Sequence, residues 1–117
     1  MRFVYAVAFS GDRFVMVYNK KRRGWEMPGG RAMSSETDDD AVVREFMEEV
    51  GHWFIPLSKE EVPGGTVYTG RIGERIGEGE MQWRLFDSLP SDLAFPSYEY
   101  AEVLCWAREN TTKEKRA

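Results

Sequence analysis

The segment from Gly30 to His52, GRAMSSETDDDAVVREFMEEVGH, constrains this 117-residue chain more than any other. Its middle predicts a helix from about Asp38 to Val50 with both ends marked. Thr37 stands where an N-cap hydroxyl accepts a backbone N–H, and Asp38, Asp39 and Asp40 fill the first turn, where the helix dipole favours negative charge. Gly51 follows the last helical residue, at the position where helices commonly end in a left-handed conformation. The helix has two faces. Val42, Val43, Phe46 and Val50 form an apolar arc that must pack against a core. Glu45, Glu48 and Glu49, spaced i, i+3 and i+4, form a separate acidic arc, with the small Ala41 among the acids leaving room for a ligand. Like charges this close repel unless a cation holds them, and hard carboxylate oxygens suit Mg²⁺ or Mn²⁺. Metal plus carboxylates on a rigid helix points to phosphate chemistry.

The rest of the chain supplies strands for the apolar arc to rest on. Arg2 to Phe9 reads as a buried strand, Ser10-Gly11-Asp12 as a tight turn and Arg13 to Tyr18 as the returning strand of a hairpin. Asn19 to Gly24 is a basic loop, and Trp25 to Met27 a short strand stopped at Pro28-Gly29-Gly30. Beyond the helix, Trp53 to Leu57, Gly65 to Ile72 and Met81 to Phe86 read as strands, and Gly73 to Gly79 as a mobile loop. Ser97 is placed to cap a last helix through about Glu109 with Val103, Leu104 and Ala107 facing inward, and residues 110–117 read as a frayed tail. The whole is α/β, one domain over residues 1–117.

Composition narrows the partners. A net charge of −4 argues against a stable nucleic-acid complex and against membrane binding, which favour basic surfaces. A single cysteine, Cys105, excludes an internal disulfide and fits a reducing cytoplasmic setting. Phe3 to Phe9 lacks the charged lead and cleavage site of a secretory leader, and no run approaches membrane-spanning length.

Gly30, then Glu36, then Arg44-Glu45-Phe46, Glu48-Glu49 and Gly51 together resemble the Nudix box, and Trp25-Glu26-Met27-Pro28-Gly29 is similar to the usual approach to it. Every fixed Gly, Glu and Arg of the signature is present at its spacing. Phe46 stands where an aliphatic residue is usual and His52 where an apolar one is, and both read as packing changes. The resemblance implies a Nudix-type α/β/α sandwich with a mixed central sheet and the Nudix loop–helix–loop. It implies hydrolysis of a nucleoside diphosphate linked to another moiety, with Mg²⁺ as cofactor and Mn²⁺ as a substitute.

On that footing Glu45, Glu48 and Glu49 are the metal ligands, with Glu45 and Glu49 nearest the nucleophile, and the Gly29 carbonyl is a further candidate ligand. Arg44, four residues before Glu48, is expected to orient that carboxylate through a bidentate pair and not to touch substrate, and Glu36 to tie loop to helix. Gly30 brings the backbone close to the substrate. Of the acids in the Gly73–Glu80 region, Glu78 is the first choice for catalytic assistance, then Glu80, then Glu74. Within the Lys20–Arg23 run, Arg23 is the candidate phosphate contact, set against a plain solvated loop. His52 is expected to be exposed or capping, Cys105 to be core, and Trp83, Phe95, Tyr98 and Tyr100 to be core by default, one of them free to stack on a base. Tyr68 lies at a spacing seen in diadenosine polyphosphate hydrolases.

The main expectation is a small nucleotide substrate, most simply a nucleoside triphosphate cleaved to monophosphate and pyrophosphate. A non-catalytic nucleotide-sensing module, a diadenosine polyphosphate hydrolase and an enzyme for oxidised nucleotides are the rivals. A homodimer stays open, because nothing in the sequence marks an interface.

Overall fold

The apolar runs assemble into a seven-stranded sheet held between two helices in the computed structural model, which describes residues 2–116 and the side chains of residues 2–111. The strands are β1 (Phe3–Ser10), β2 (Arg13–Asn19), β3 (Gly24–Glu26), β4 (Gly29–Arg31), β5 (His52–Val62), β6 (Gly65–Arg75) and β7 (Trp83–Phe86). The helices are α1 (Asp38–Val50) and α2 (Ser97–Arg116). Strand order is β3-β2-β1-β6-β5, with β4 added to β1 and β7 to β2. β1 and β6 run parallel, Val4 opposite Thr66 and Ala8 opposite Gly70, and the other pairings are antiparallel, so the sheet is mixed.

The pleat sorts the core into two layers. Val4, Ala6 and Ala8 of β1 join Val15 and Val17 of β2 beneath Val42, Phe46 and Val50 of α1. The alternate residues, Val7, Phe9, Phe14 and Met16, pack with Trp25, Tyr100, Leu104 and Ala107 on the α2 side. β6 lies between β1 and β5 and is covered on both faces, so Gly65 to Gly70 are all buried. Simple in–out alternation is lost there because neither face meets water.

Several elements differ from the sequence reading. Glycine-rich Gly29–Arg31, expected as loop, pairs with β1 as β4. β5 and β6 form one long hairpin, so Gly73, Glu74 and Arg75 lie in a strand instead of the expected loop. α2 continues past Glu109: the Asn110 side chain bonds the Trp106 carbonyl at 2.8 Å, and Thr111 is buried against Thr69. Ala41 is completely buried in the core on the α1 side and leaves no room for a ligand. Cys105 is exposed, since Leu104 and Ala107 are the residues α2 turns inward. Of the four aromatics, Tyr100 is buried and Trp83 partly buried, whereas Phe95 and Tyr98 are exposed, Tyr98 at 72%. No described helix is long and apolar enough to cross a membrane.

Candidate active site

α1 is set in place by the same residues that start it. The Thr37 hydroxyl accepts the Asp40 N–H at 3.1 Å. Asp38 accepts from Arg2 Nε at 2.9 Å and from the Thr66 hydroxyl at 2.7 Å. Asp39 accepts from Lys59 Nζ at 3.0 Å and from the Tyr68 hydroxyl. The first turn is thereby anchored to β5, β6 and Arg2 just ahead of β1, which fixes the rotation of the helix. Tyr68 is almost wholly buried, and burial first, then the bond to Asp39, hold its hydroxyl pKa above the ordinary value. It is a structural strut, which removes the sequence hint towards dinucleoside polyphosphates. Gly51 closes α1 with φ 78°, its N–H bonding the Met47 carbonyl at 2.9 Å. A Cβ there would strike the Gly77 carbonyl, so glycine is required twice over.

Beneath the anchored turn, Arg44 organises the acids. Its guanidinium forks onto Glu36, with Nε 3.0 Å from Oε2 and an η-nitrogen 2.6 Å from Oε1. The same η-nitrogen reaches the Arg31 carbonyl at 3.1 Å. The other η-nitrogen donates to Glu45 Oε1 at 3.1 Å and to both Glu48 oxygens at 3.1 and 3.2 Å. The planar fork is therefore spent on Glu36, and Glu48 receives a single donor shared with Glu45. Glu36 also accepts the Met33 N–H at 2.9 Å, so it ties the loop to the helix. These donors hold the Glu36 carboxyl below the ordinary carboxylate range, Arg44 contributing most.

Glu45 and Glu49 have the opposite character. Burial raises both pKa values, that of Glu49 to about 8, with Glu45, Glu26 and Glu80 adding repulsion at Glu49. Glu49 Oε1 accepts the Gly29 N–H at 2.9 Å. A Cβ on Gly30 would come within 2.5 Å of the Glu45 carboxyl carbon, so a side chain there would push that carboxylate aside. Partly desolvated carboxylates that repel each other against bare backbone are a donor set suited to a hard divalent cation. Among the described residues, however, no three acidic side chains are gathered ready to ligate one ion. Arg44 draws Glu45 and Glu48 to one side while Gly29 holds Glu49 at the other.

The remaining expectations are placed as follows. Gly29 meets Glu49 through its N–H and not through the carbonyl expected as a ligand. The 76–81 segment folds over the end of α1, where the Ile76, Glu80 and Met81 N–H groups cap the Gly51, Glu48 and Glu49 carbonyls. Glu80, not the preferred Glu78, exerts a field on Glu49 from this loop; both are exposed. Arg23 is exposed in the β2–β3 turn at φ 54°, with no contact to the acids; Arg22 instead reaches Glu26 at 3.4 Å. His52 is half-buried, Nδ1 2.9 Å from the Gly73 carbonyl, and its ring meets Trp83 edge-on.

Glu26 was missed. It stands opposite Val17 at the end of β3, holds Asn19 Nδ2 at 2.9 Å and repels Glu49. It also lines a cleft of about 520 Å³ walled by Tyr5, Val67, Phe95 and Tyr100. A second cleft, of about 750 Å³, has Arg2, Arg31 and Arg44 and, of opposite charge, Glu36, Asp38 and Glu45 on its walls. Gly29 and Gly30 lie in sequence between Met27 of the first cleft and Arg31 of the second.

A mixed sheet between two helices, with this acid-bearing loop–helix–loop, defines a NUDIX domain. The NUDIX domain profile matches residues 2–115, and the chain belongs to the Nudix hydrolase family, whose members generally use divalent metal ions. It is 44% identical over 76 residues to the uncharacterized Nudix hydrolase YvcI of Bacillus subtilis (strain 168), a match covering 64% of this chain and 44% of that one. This chain thus spans under half the length of that relative. Among solved structures, the Bacillus subtilis pyrophosphohydrolase BsRppH superposes with TM-score 0.72 at 22% identity, over 97% of this chain and 82% of that one. An ADP-ribose pyrophosphatase from Streptococcus suis superposes with TM-score 0.67 at 24% identity, over 91% and 90%. At these identities the superpositions speak for the fold.

Proposed function

We propose that this chain is a Mg²⁺-dependent pyrophosphohydrolase that cleaves a small nucleotide, most simply a nucleoside triphosphate to its monophosphate and pyrophosphate. The observation that carries the reading is the pair Glu45 and Glu49, desolvated, mutually repelling and pressed against Gly29-Gly30. A buried carboxyl with its pKa pushed up to about 8 costs folding stability and suits a site where a cation or proton is exchanged.

Bound Mg²⁺ would supply charge neutralisation at the phosphates and acidify a coordinated water. Glu45, Glu48 and Glu49 are the side chains that would hold it. The Gly29 N–H fixes one oxygen of Glu49, and among the described residues the other oxygen makes no hydrogen bond and is available to the ion or to a proton. Arg44 is a positioning residue: locked on Glu36, it sets where Glu45 and Glu48 lie before substrate arrives. The two clefts suit the two ends of a nucleotide. Tyr5 and Phe95 offer exposed aromatic faces for a base, while Arg31, on the wall of the other cleft, is a candidate contact for phosphates.

The test is a nucleotide panel assayed with and without Mg²⁺, separating products by anion exchange. Turnover that EDTA abolishes and Glu49→Gln reduces at least a hundredfold supports the reading. Nucleotides bound but never cleaved across the panel would replace it with the sensing module.

A further inference from the structure

The aromatic cleft carries a selectivity of its own, which rests on reading this site as a nucleotide site. Its walls are Tyr5, Val67, Phe95 and Tyr100, and the two charged side chains lining it, Glu26 and Glu99, are both acidic. No lysine or arginine lines it among the described residues. The two acids are not equivalent. Glu26 already accepts from Asn19 Nδ2 at 2.9 Å and from Arg22 at 3.4 Å. Arg22 in turn lies over the Phe95 ring, 5.0 Å from its centre, so this side of the cleft is braced.

Glu99, in the first turn of α2, is different. Among the described residues its exposed carboxylate has no hydrogen-bond or ion-pair partner, and its charge is felt, after that of Glu26 and beside that of Arg22, at the Tyr5 and Tyr100 hydroxyls, which flank the same cleft. A base stacked on Tyr5 would present its edge to this anionic acceptor, while the nearby cation, Arg22, is held on Glu26 and the Phe95 ring.

We infer that Glu99 is a specificity-determining residue that selects a guanine-type edge, in which an imino N–H and an amino group lie side by side. An ionised carboxylate only accepts hydrogen bonds, and its two oxygens match two parallel donors. Hypoxanthine keeps the imino donor and lacks the amino group. Adenine and cytosine place a ring-nitrogen acceptor beside their amino group, which faces the anion unfavourably. A site built to pair with a donor discriminates strongly against a ligand that lacks it.

The experiment measures equilibrium binding of GMP, IMP and AMP to the full chain, followed by tryptophan fluorescence or calorimetry without metal, so that no turnover is needed. GMP is expected to bind about tenfold or more tighter than IMP or AMP. Glu99→Gln should bring GMP and IMP within about threefold of each other, because the amide replaces one acceptor with a donor. Glu102→Gln, the same charge change one turn along α2, should leave the preference intact. Equal binding of GMP and IMP, no binding of any of the three at millimolar concentration, or a full preference surviving Glu99→Gln would overturn the inference. The hydrolysis of GTP, ITP and ATP separates the two claims. Preference in binding with no cleavage defeats the proposed activity alone, and cleavage without preference defeats the role of Glu99 alone.

Discussion

Replacing Glu49 by glutamine should make the metal-free protein more stable, in a pH-dependent way. The carboxyl stands at about 8 in the folded chain against an ordinary value of 4.5, chiefly because it is buried. Between those values the native state holds a proton that the unfolded chain has released. Stability is therefore lost as pH rises through this window, whereas a carboxylate with a depressed pKa would gain it. The slope is about 1.4 kcal/mol per pH unit, about 5 kcal/mol in all if nothing relaxes, and solvent access to a half-buried side chain brings the expectation to about 2–4 kcal/mol. Glutamine keeps an oxygen for the Gly29 N–H and removes the charge. Urea unfolding in EDTA at pH 5, 7 and 9 reads the difference directly. The variant should match the parent at pH 5 and exceed it by about 2–4 kcal/mol at pH 9. Saturating Mg²⁺ at pH 9 should then raise the parent midpoint and leave the variant unmoved. Parallel pH profiles for the two proteins, or a variant less stable at pH 9, would refute the reasoning that an uncompensated buried charge marks this site.

Three further outcomes follow from the geometry. Gly30→Ala should retain the parent circular dichroism and unfolding midpoint but lose at least tenfold in kcat, because a Cβ 2.5 Å from the Glu45 carboxyl displaces a flexible side-chain end and no backbone. Arg44→Lys should lower stability by about 1–3 kcal/mol in urea and reduce kcat with KM little changed, since an ammonium cannot serve Glu36, Glu45 and Glu48 at once. Tyr68→Phe should cost about 1 kcal/mol of stability by freeing Asp39 and leave the order of preferred nucleotides unchanged in the panel assay.

Legibility in the sequence followed the strength of the local signal. α1 was readable, with approximate bounds, because Thr37, the three aspartates and Gly51 mark its ends independently of tertiary context. Arg44 and the glutamates were readable from their spacing. β4 was not, because Gly29-Gly30-Arg31 has no strand propensity and pairs only because β1 offers an edge. Glu26 gave no periodic signal in a three-residue strand. The reach of Glu80 in place of Glu78 depends on how the 76–81 backbone caps α1, which no side-chain pattern encodes. Cys105 and Tyr98 were misplaced by the usual burial of their residue types, when the orientation of α2 decides which face is covered.

The most direct measurement follows a nucleoside triphosphate by ³¹P NMR with stoichiometric enzyme, first in EDTA and then after excess Mg²⁺ is added. The triphosphate signals should persist unchanged in EDTA, then give way to monophosphate and pyrophosphate once Mg²⁺ is present. Cleavage proceeding equally in EDTA, or bound nucleotide left intact under saturating Mg²⁺, would contradict the assignment of Glu45, Glu48 and Glu49 to metal-dependent phosphoanhydride hydrolysis.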